Sequence, residues 1–375
     1  MPPADLIPPD AIAHIKEGDR IMTICNSCRY CEGYCAVFPA MERRITFTAA
    51  DLNYLANLCH NCGECFYACQ YAPPHEFAVN VPQILSEIRV DSYRQYAWPA
   101  PLGRAFQKSL WTPTLLAVIL TAAMHGMASS GPESLFTAFA GDFYRVIPHG
   151  VMVAFFGSVS IFILTAHLTG FALFWRENGD KIRDFGSFFA LKSAIFDVFS
   201  LEYLRSGGAG CPYPDEHHSG TRRWFHHFTF YGFLLCFGST SVAAFYHYAL
   251  DLTAPYGYFS VPVVLGTLGG LGLLVGPAGL FLLKLRQDRA TASLRQNQLD
   301  MGFIVLLFLT SLTGLLLLAL RETSVMGLLL VIHLAIVMAL FLTLPYGKFV
   351  HGIYRAGALA KYALERARPN AGLES

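Results

Sequence analysis

Charge is the first thing this chain lacks. Only 14% of its 375 residues are Asp, Glu, Lys or Arg, and 27 basic against 26 acidic side chains leave a net charge of +1. So balanced a charge gives no basic footprint for nucleic acid. A nucleotide or flavin fingerprint is missing too. Gly207, Gly208 and Gly210 do not complete G-x-G-x-x-G and follow no convincing strand of a βαβ unit. The richer glycine stretch from Gly266 to Gly276 lies inside an apolar run, where small residues serve close helix packing and not a phosphate loop. No N-terminal secretory signal is recognisable, and the reducing compartment this implies argues against a disulfide framework.

What is present is apolar mass and a repeated cysteine pattern. A hydrophobic content of 54% and a mean hydropathy of +0.42 point to a membrane protein with a smaller water-soluble part. Cys25, Cys28, Cys31 and Cys35 are spaced C-x2-C-x2-C-x3-C, and Cys59, Cys62, Cys65 and Cys69 repeat that spacing. Pro39 and Pro73 stand four residues beyond the two runs. The three closely spaced thiolates of a run can wrap three corners of a cubane cluster, and the displaced fourth points away. In two-cluster ferredoxins that fourth cysteine ligates the other cluster. The expected ligand sets are therefore Cys25, Cys28, Cys31 and Cys69 for one [4Fe–4S] cluster, and Cys59, Cys62, Cys65 and Cys35 for the second. Structural zinc is the rival, but it usually takes two ligands from each of two knuckles, so the third cysteine of each run is surplus to it. Ala36 and Gln70 depart from the bacterial ferredoxin form, which has proline directly after the fourth cysteine. Cys211 and Cys236 receive no role.

The expected fold is mainly α: an N-terminal α-helical ferredoxin domain followed by a six-helix transmembrane bundle. The cluster domain covers 1–98, and Thr48 with Asp51 marks a capping-box helix start ahead of Leu52, Leu55 and Leu58. A further helix is expected from Val81 to Val90. Residues 99–109 form a linker, 110–355 the membrane domain with an inner loop at 176–223, and 356–375 a cytoplasmic tail. Apolar runs at about 110–128, 146–175, 224–250, 259–283, 299–320 and 325–347 can each cross roughly 30 Å of hydrocarbon. Lys and Arg concentrate in 176–223, 284–298 and 348–375, whereas the alternate loops hold only Arg145 and Arg321. The positive-inside rule then places the cluster domain and both termini in the cytoplasm, at the inner membrane. Within the inner loop, Phe188 to Phe196 reads either as an amphipathic helix on the membrane surface or as a helix packed on the cluster domain.

Histidines inside apolar spans are costly and are functional candidates for that reason. His333 and His351 are eighteen residues apart; on one continuous helix they would face the same way about 27 Å apart, one toward each side of the membrane, as a stacked pair of b-type haems requires. Partners must come from another helix: His226 or His227 at the inner depth, and His247 at the outer. His149 and His167 form a rival pair, and His125 is a lone outer-end histidine.

The stretch from His333 through Pro345 and Gly347 to His351 resembles the last helix of the haem-carrying γ subunit of respiratory nitrate reductase. That resemblance implies that His333 and His351 are axial ligands of different haems, with His227, five residues before Gly232, most similar to the inner partner. Phe237 stands where that family has its second ligand, so the outer partner lies between His247 and His149. Over nearly its whole length the chain resembles the tricarballylate utilization protein B family, also called citrate utilization protein B. The likeness rests on the two cysteine runs, the apolar tail, and the segment from Gly210-Cys-Pro-Tyr-Pro to Arg222-Arg-Trp-Phe-His-His and Cys236. It implies a membrane electron relay of the flavoprotein:quinone reductase type. Such a protein reoxidises the FAD of a separate tricarballylate dehydrogenase and passes electrons through two clusters and one or two haems b to quinone. The residues agree in kind: paired one-electron centres without a dehydrogenase fingerprint need a donor on one side and an acceptor on the other. Rival readings are the membrane subunit of another flavoprotein or heterodisulfide-reductase-like system, and a redox-sensing membrane protein.

Overall fold

The computed structural model describes residues 9–107, 119–120, 123, 135–179, 188–208 and 210–367. Its N-terminal part is helical. Helix α1 (Pro9–Cys28) delivers Cys25 and Cys28 on its last turn, a short α2 (Val37–Met41) follows the first cysteine run, and α3 (Ala49–Leu58) leads into the second. The expected capping box is present: Thr48 Oγ1 accepts from the Asp51 amide at 3.2 Å, and the Asp51 carboxylate accepts from the Thr48 amide at 3.1 Å. Helix α4 (Glu64–Tyr67) lies within the second run. Helix α5 (Val81–Gln95) starts at Asn80, whose side chain caps the Gln83 amide, and it runs longer than the expected 81–90. At Gly18 of α1 a Cβ would meet Ile88 at 2.6 Å, so this glycine sets how closely α1 approaches α5.

After α6 (Ala100–Gln107) come five helices long and apolar enough to cross a membrane: α7 (His149–Glu177), α9 (Thr221–Ala249), α10 (Val261–Leu285), α11 (Leu294–Ala319) and α12 (Met326–Thr343). The sixth expected span, at 110–128, falls almost wholly outside the described residues. Large apolar side chains such as Ile161, Leu164, Leu168 and Phe237 stand exposed on α7 and α9. At about 25 cal/mol per Å² such surfaces would be costly in water, and in hydrocarbon they cost nothing. Helices α9 and α10 cross at backbone contact. A Cβ at Gly232 would lie 2.9 Å from the Gly269 carbonyl, and one at Gly276 would lie 2.6 Å from the Thr229 amide. The glycine stretch is a packing stripe, and Cys236 is one of the small residues it meets.

Helix α8 (Phe188–Ser200) reconciles the two readings of the inner loop. Ala190, Ala194 and Asp197 are buried against the final helix, while Phe188, Phe189 and Phe196 point outward and stay exposed. The end of the bundle departs from expectation. His333 and His351 do not share a helix: the chain turns after Thr343, and a separate helix α13 (Val350–Ala367) follows. Pro345 has no N–H to continue the ladder, and the amides of Tyr346 and Gly347 both turn back onto the Thr343 carbonyl. Helix α13 lies outside the apolar run. Its Tyr354, Ala358, Leu359 and Tyr362 belong to the same buried core as Ile21, Leu52, Leu55 and Leu85 of the N-terminal part. Arg44 reaches Glu365 at 2.7 Å and Asp51 at 2.6 Å, and Tyr54 donates to Glu365 at 3.0 Å, so the two parts are also tied by polar contacts.

Candidate redox site

Cys25 and Cys28 are three residues apart on one helix and so share a face. Arg29, with φ of 55°, then turns the chain back so that Cys31 comes beside them. Together with Cys69, and with Cys65 of the second run, they line a hollow of about 250 Å³ walled by Phe38, Tyr71 and Val79. Burial, followed by the fields of Cys31, Cys69 and Cys28, pushes the Cys25 thiol up to about 12. The thiols whose charges act on the half-buried Cys35 are instead Cys62 and Cys59, and Cys65 feels Cys62, Cys59 and Cys35 before Cys31. Cys69 thus lies close to Cys25 and Cys31 of the first run, and Cys35 close to Cys59, Cys62 and Cys65 of the second. The donor set suits iron: the thiols of Cys25, Cys31, Cys35 and Cys65 resist ionisation alone, and a metal would supply the positive charge that stabilises thiolates.

The second run is covered by a segment from the inner loop. A short hairpin pairs Cys211–Pro212 with His218–Ser219, and at Gly210, with φ of 95°, a Cβ would lie 2.6 Å from the Ser219 backbone and has no room. The hairpin sets Cys211 among Cys62 and His60, with one donor atom of each within 4.8 Å of the others. Arg222 donates to the carbonyls of Asn61 at 2.9 Å and His60 at 2.8 Å, and its guanidinium lies 4.4 Å from the Tyr213 ring centre. His218 and Glu64 meet at 2.8 Å. A hydrogen bond with Cys62 holds the Cys211 thiol below its ordinary range, and burial lowers His60. Sequence reasoning left Cys211 without a role, since nothing in its spacing relates it to the distant second run.

Between this segment and the membrane helices lies a cavity of about 390 Å³, within the range of cofactor pockets. Cys59 and His60 are among its walls, and His226 and His351 line it together. Their ring centres are 6.2 Å apart with planes at 73°. An iron bound about 2 Å from a nitrogen of each ring needs a spacing of about 6 Å, so the pair fits a bis-imidazole centre. Lys348 O accepts from His351 Nδ1 at 2.6 Å, which leaves Nε2 as the free nitrogen, and His226 Nδ1 is buried with no partner. Phe233 and Phe303 supply apolar walls. Beside them Asp300 is gripped by Lys284 at 2.6 Å and Lys348 at 2.7 Å.

The other histidines are placed differently. His227 turns away from the cavity to stack on Tyr231, with ring centres 5.7 Å apart, so among the described residues it is His226 that faces His351. His333 is half-buried beside Thr313 Oγ1 at 2.9 Å and against Gly314, and no histidine among the described residues meets it. His149 and His247 stack at 4.1 Å, too close for an iron between their rings. His167 packs on Phe349, its Nε2 buried without a partner. His125 lies outside the described residues. The cationic lining of the cavity, Arg89, Arg222 and Arg355, was also missed in the sequence, where an arginine beyond an apolar run counts only toward orientation.

Residues 18–97 match the Fer4-like domain of citrate utilization protein B, and residues 104–372 match the citrate utilization protein B family. The citrate utilization protein B of Escherichia coli is 51% identical over 356 residues, covering 94% of this chain and 93% of that protein. No solved structure matches the chain.

Proposed function

The chain belongs to the citrate utilization protein B family, and from that membership we propose that it is a membrane-bound electron relay serving a citrate or tricarballylate utilization system. It reoxidises the FAD of a partner dehydrogenase, tricarballylate dehydrogenase by resemblance, and passes the electrons by way of two [4Fe–4S] clusters and haem b to quinone. The Fer4-like domain supports iron–sulfur clusters, and the five apolar helices support a bilayer setting. One observation carries the reading: Cys59 of the second run and the facing pair His226 and His351 line the same cavity. A metal at each position would lie on either side of one compact wall, not in separate domains.

The residues have distinct tasks in this scheme. The clusters supply one-electron steps, which let a two-electron flavin discharge singly. Cys25, Cys28, Cys31 and Cys69 hold the first, and Cys59, Cys62, Cys65 and Cys35 the second. The hairpin carrying Cys211 covers the second run and excludes water from it. His226 and His351 hold the iron on the cytoplasmic side, and the Lys348 carbonyl orients the His351 ring. The concentration of Lys and Arg in the inner loops supports a cytoplasmic cluster domain, where a soluble dehydrogenase can reach it.

A reduced-minus-oxidised absorption spectrum of the detergent-purified protein tests the haem, and adding the reduced dehydrogenase with a quinone analogue tests the relay. Sharp b-type bands that appear on adding the dehydrogenase and decay on adding quinone are expected. A broad iron–sulfur bleach without haem bands would refute the haem path and bring forward a haem-free reductase or a sensor.

A further inference from the structure

The cavity is apolar along the membrane helices and cationic where it meets the N-terminal part. Lys284 and Lys348 are both engaged by Asp300, and Asp197 is held by Arg366 at 3.3 Å. Arg222 is satisfied by two backbone carbonyls. Two guanidinium groups are left over. Arg89, 4% exposed, donates Nε to the Ala56 carbonyl at 2.7 Å and Nη1 to Gln296 at 2.8 Å, but its Nη2 is buried without an acceptor. Arg355 lines the cavity with no hydrogen bond or ion pair among the described residues. Burial and the like charges of Arg89 and Arg222 hold Arg355 down to about 10, while Cys59 and Cys35 pull the other way. Buried cations so grouped call for an anion.

We propose that Arg89 and Arg355 bind the two carboxylates of an amphipathic dianion, the propionates of a haem seated between His226 and His351, at the end of the cavity facing the second cysteine run. The assignment rests on the haem reading above and adds to it the orientation of the ring and the charge class of the occupant. A neutral quinone has apolar bulk for the walls but no charge to answer two buried guanidinium groups. Arginine suits a carboxylate because its planar fork can bond both oxygens at once.

The test uses the full-length chain from haem-depleted cells, purified in detergent and titrated with haem b or with haem b dimethyl ester, whose carboxylates are masked. The unsubstituted chain is expected to bind the free acid at least tenfold more tightly than the ester. Arg355→Gln and Arg89→Gln should each shrink that ratio several-fold by weakening acid binding alone, and Arg355→Lys should retain part of it. Iron and acid-labile sulfide content reports whether each variant folds, and the acid-to-ester ratio of the unsubstituted chain needs no variant at all. A ratio near one, or a ratio indifferent to both arginines, overturns the proposal. So does a shifted midpoint of the second cluster with the ratio unmoved, because the arginines would then answer the cluster's charge. If neither porphyrin gives a bis-imidazole spectrum, the haem reading itself fails and takes the proposal with it.

Discussion

His226 and His227 are adjacent in the chain and about 100° apart around a helix, so one can face the cavity only if the other turns from it. The rotation of α9 is fixed by Gly232 against Gly269 and Gly276 against Thr229, and that rotation aims His226 at His351. His226→Ala should therefore abolish the haem proposed at this pair, whereas His227→Ala, which removes a stack on Tyr231, should keep most of it. Haem per protein, read from the pyridine complex, separates the two, and the reverse result would mean that α9 is rotated by a register step. The cysteines allow a parallel comparison. Cys31→Ser should damage the first cluster and Cys35→Ser the second, although only three residues separate them, because Cys35 lies in the field of Cys59 and Cys62. If both variants removed the same paramagnetic resonance signal, the exchange of fourth ligands would be wrong. The two cysteine runs were legible in the sequence because spacing is a local property. The choice between His226 and His227 was not, because it depends on how a whole helix is turned. Arg355 was illegible for a related reason: its meaning comes from the thiols and arginines that other elements bring to it.

Elements were readable where their cause is local. The Thr48 and Asp51 cap, the glycine stripe and five of the six apolar runs are each written in one stretch of chain, and each has its helix or contact in the structure. The last span was misread because length and hydropathy dominate the reading of an apolar run, while one proline and one glycine decide where the helix ends. Separating α12 from α13 moves His351 from a bundle helix to the first turn of a helix under the cluster domain, beside the second cysteine run. The crossing of α9 and α10 offers a stability test. At Gly232 a methyl group would press on the Gly269 carbonyl and the Leu273 amide, both backbone atoms that cannot swing aside, whereas at Gly238 the nearest atom is a leucine methyl at 4.0 Å. Gly232→Ala should cost about 1–3 kcal/mol, as overpacking does, and Gly238→Ala should be neutral or slightly stabilising through helix propensity. Thermal unfolding in detergent, followed by helical circular dichroism, measures the difference; equal midpoints would mean that the crossing is looser than its backbone contacts imply.

At the scale of the whole molecule, the two parts that composition separates into soluble and membrane-bound share one core. Helix α13 comes last in the chain yet contributes Tyr354, Ala358, Leu359 and Tyr362 to the core beneath both cysteine runs, and its Glu365 receives Arg44 and Tyr54. Its first turn carries His351 into the cavity that Cys59 also lines. Folding of the cluster domain is therefore coupled to completion of the chain. Truncation after Phe349 should remove more than the proposed haem ligand: uncovering the core residues that α13 buries, at about 1.5–3 kcal/mol for each large apolar side chain, is comparable to the whole of the roughly 5–15 kcal/mol by which domains are usually stable. The truncated protein is expected to lose iron and acid-labile sulfide together with haem, whereas full-length His351→Ala should lose haem and keep its clusters. Sulfide and haem counted on the same samples separate a missing ligand from a missing wall. Clusters retained at full stoichiometry in the truncated chain would show that the N-terminal part folds without α13, and the shared core would then serve alignment of the redox centres and not the folding of the cluster domain.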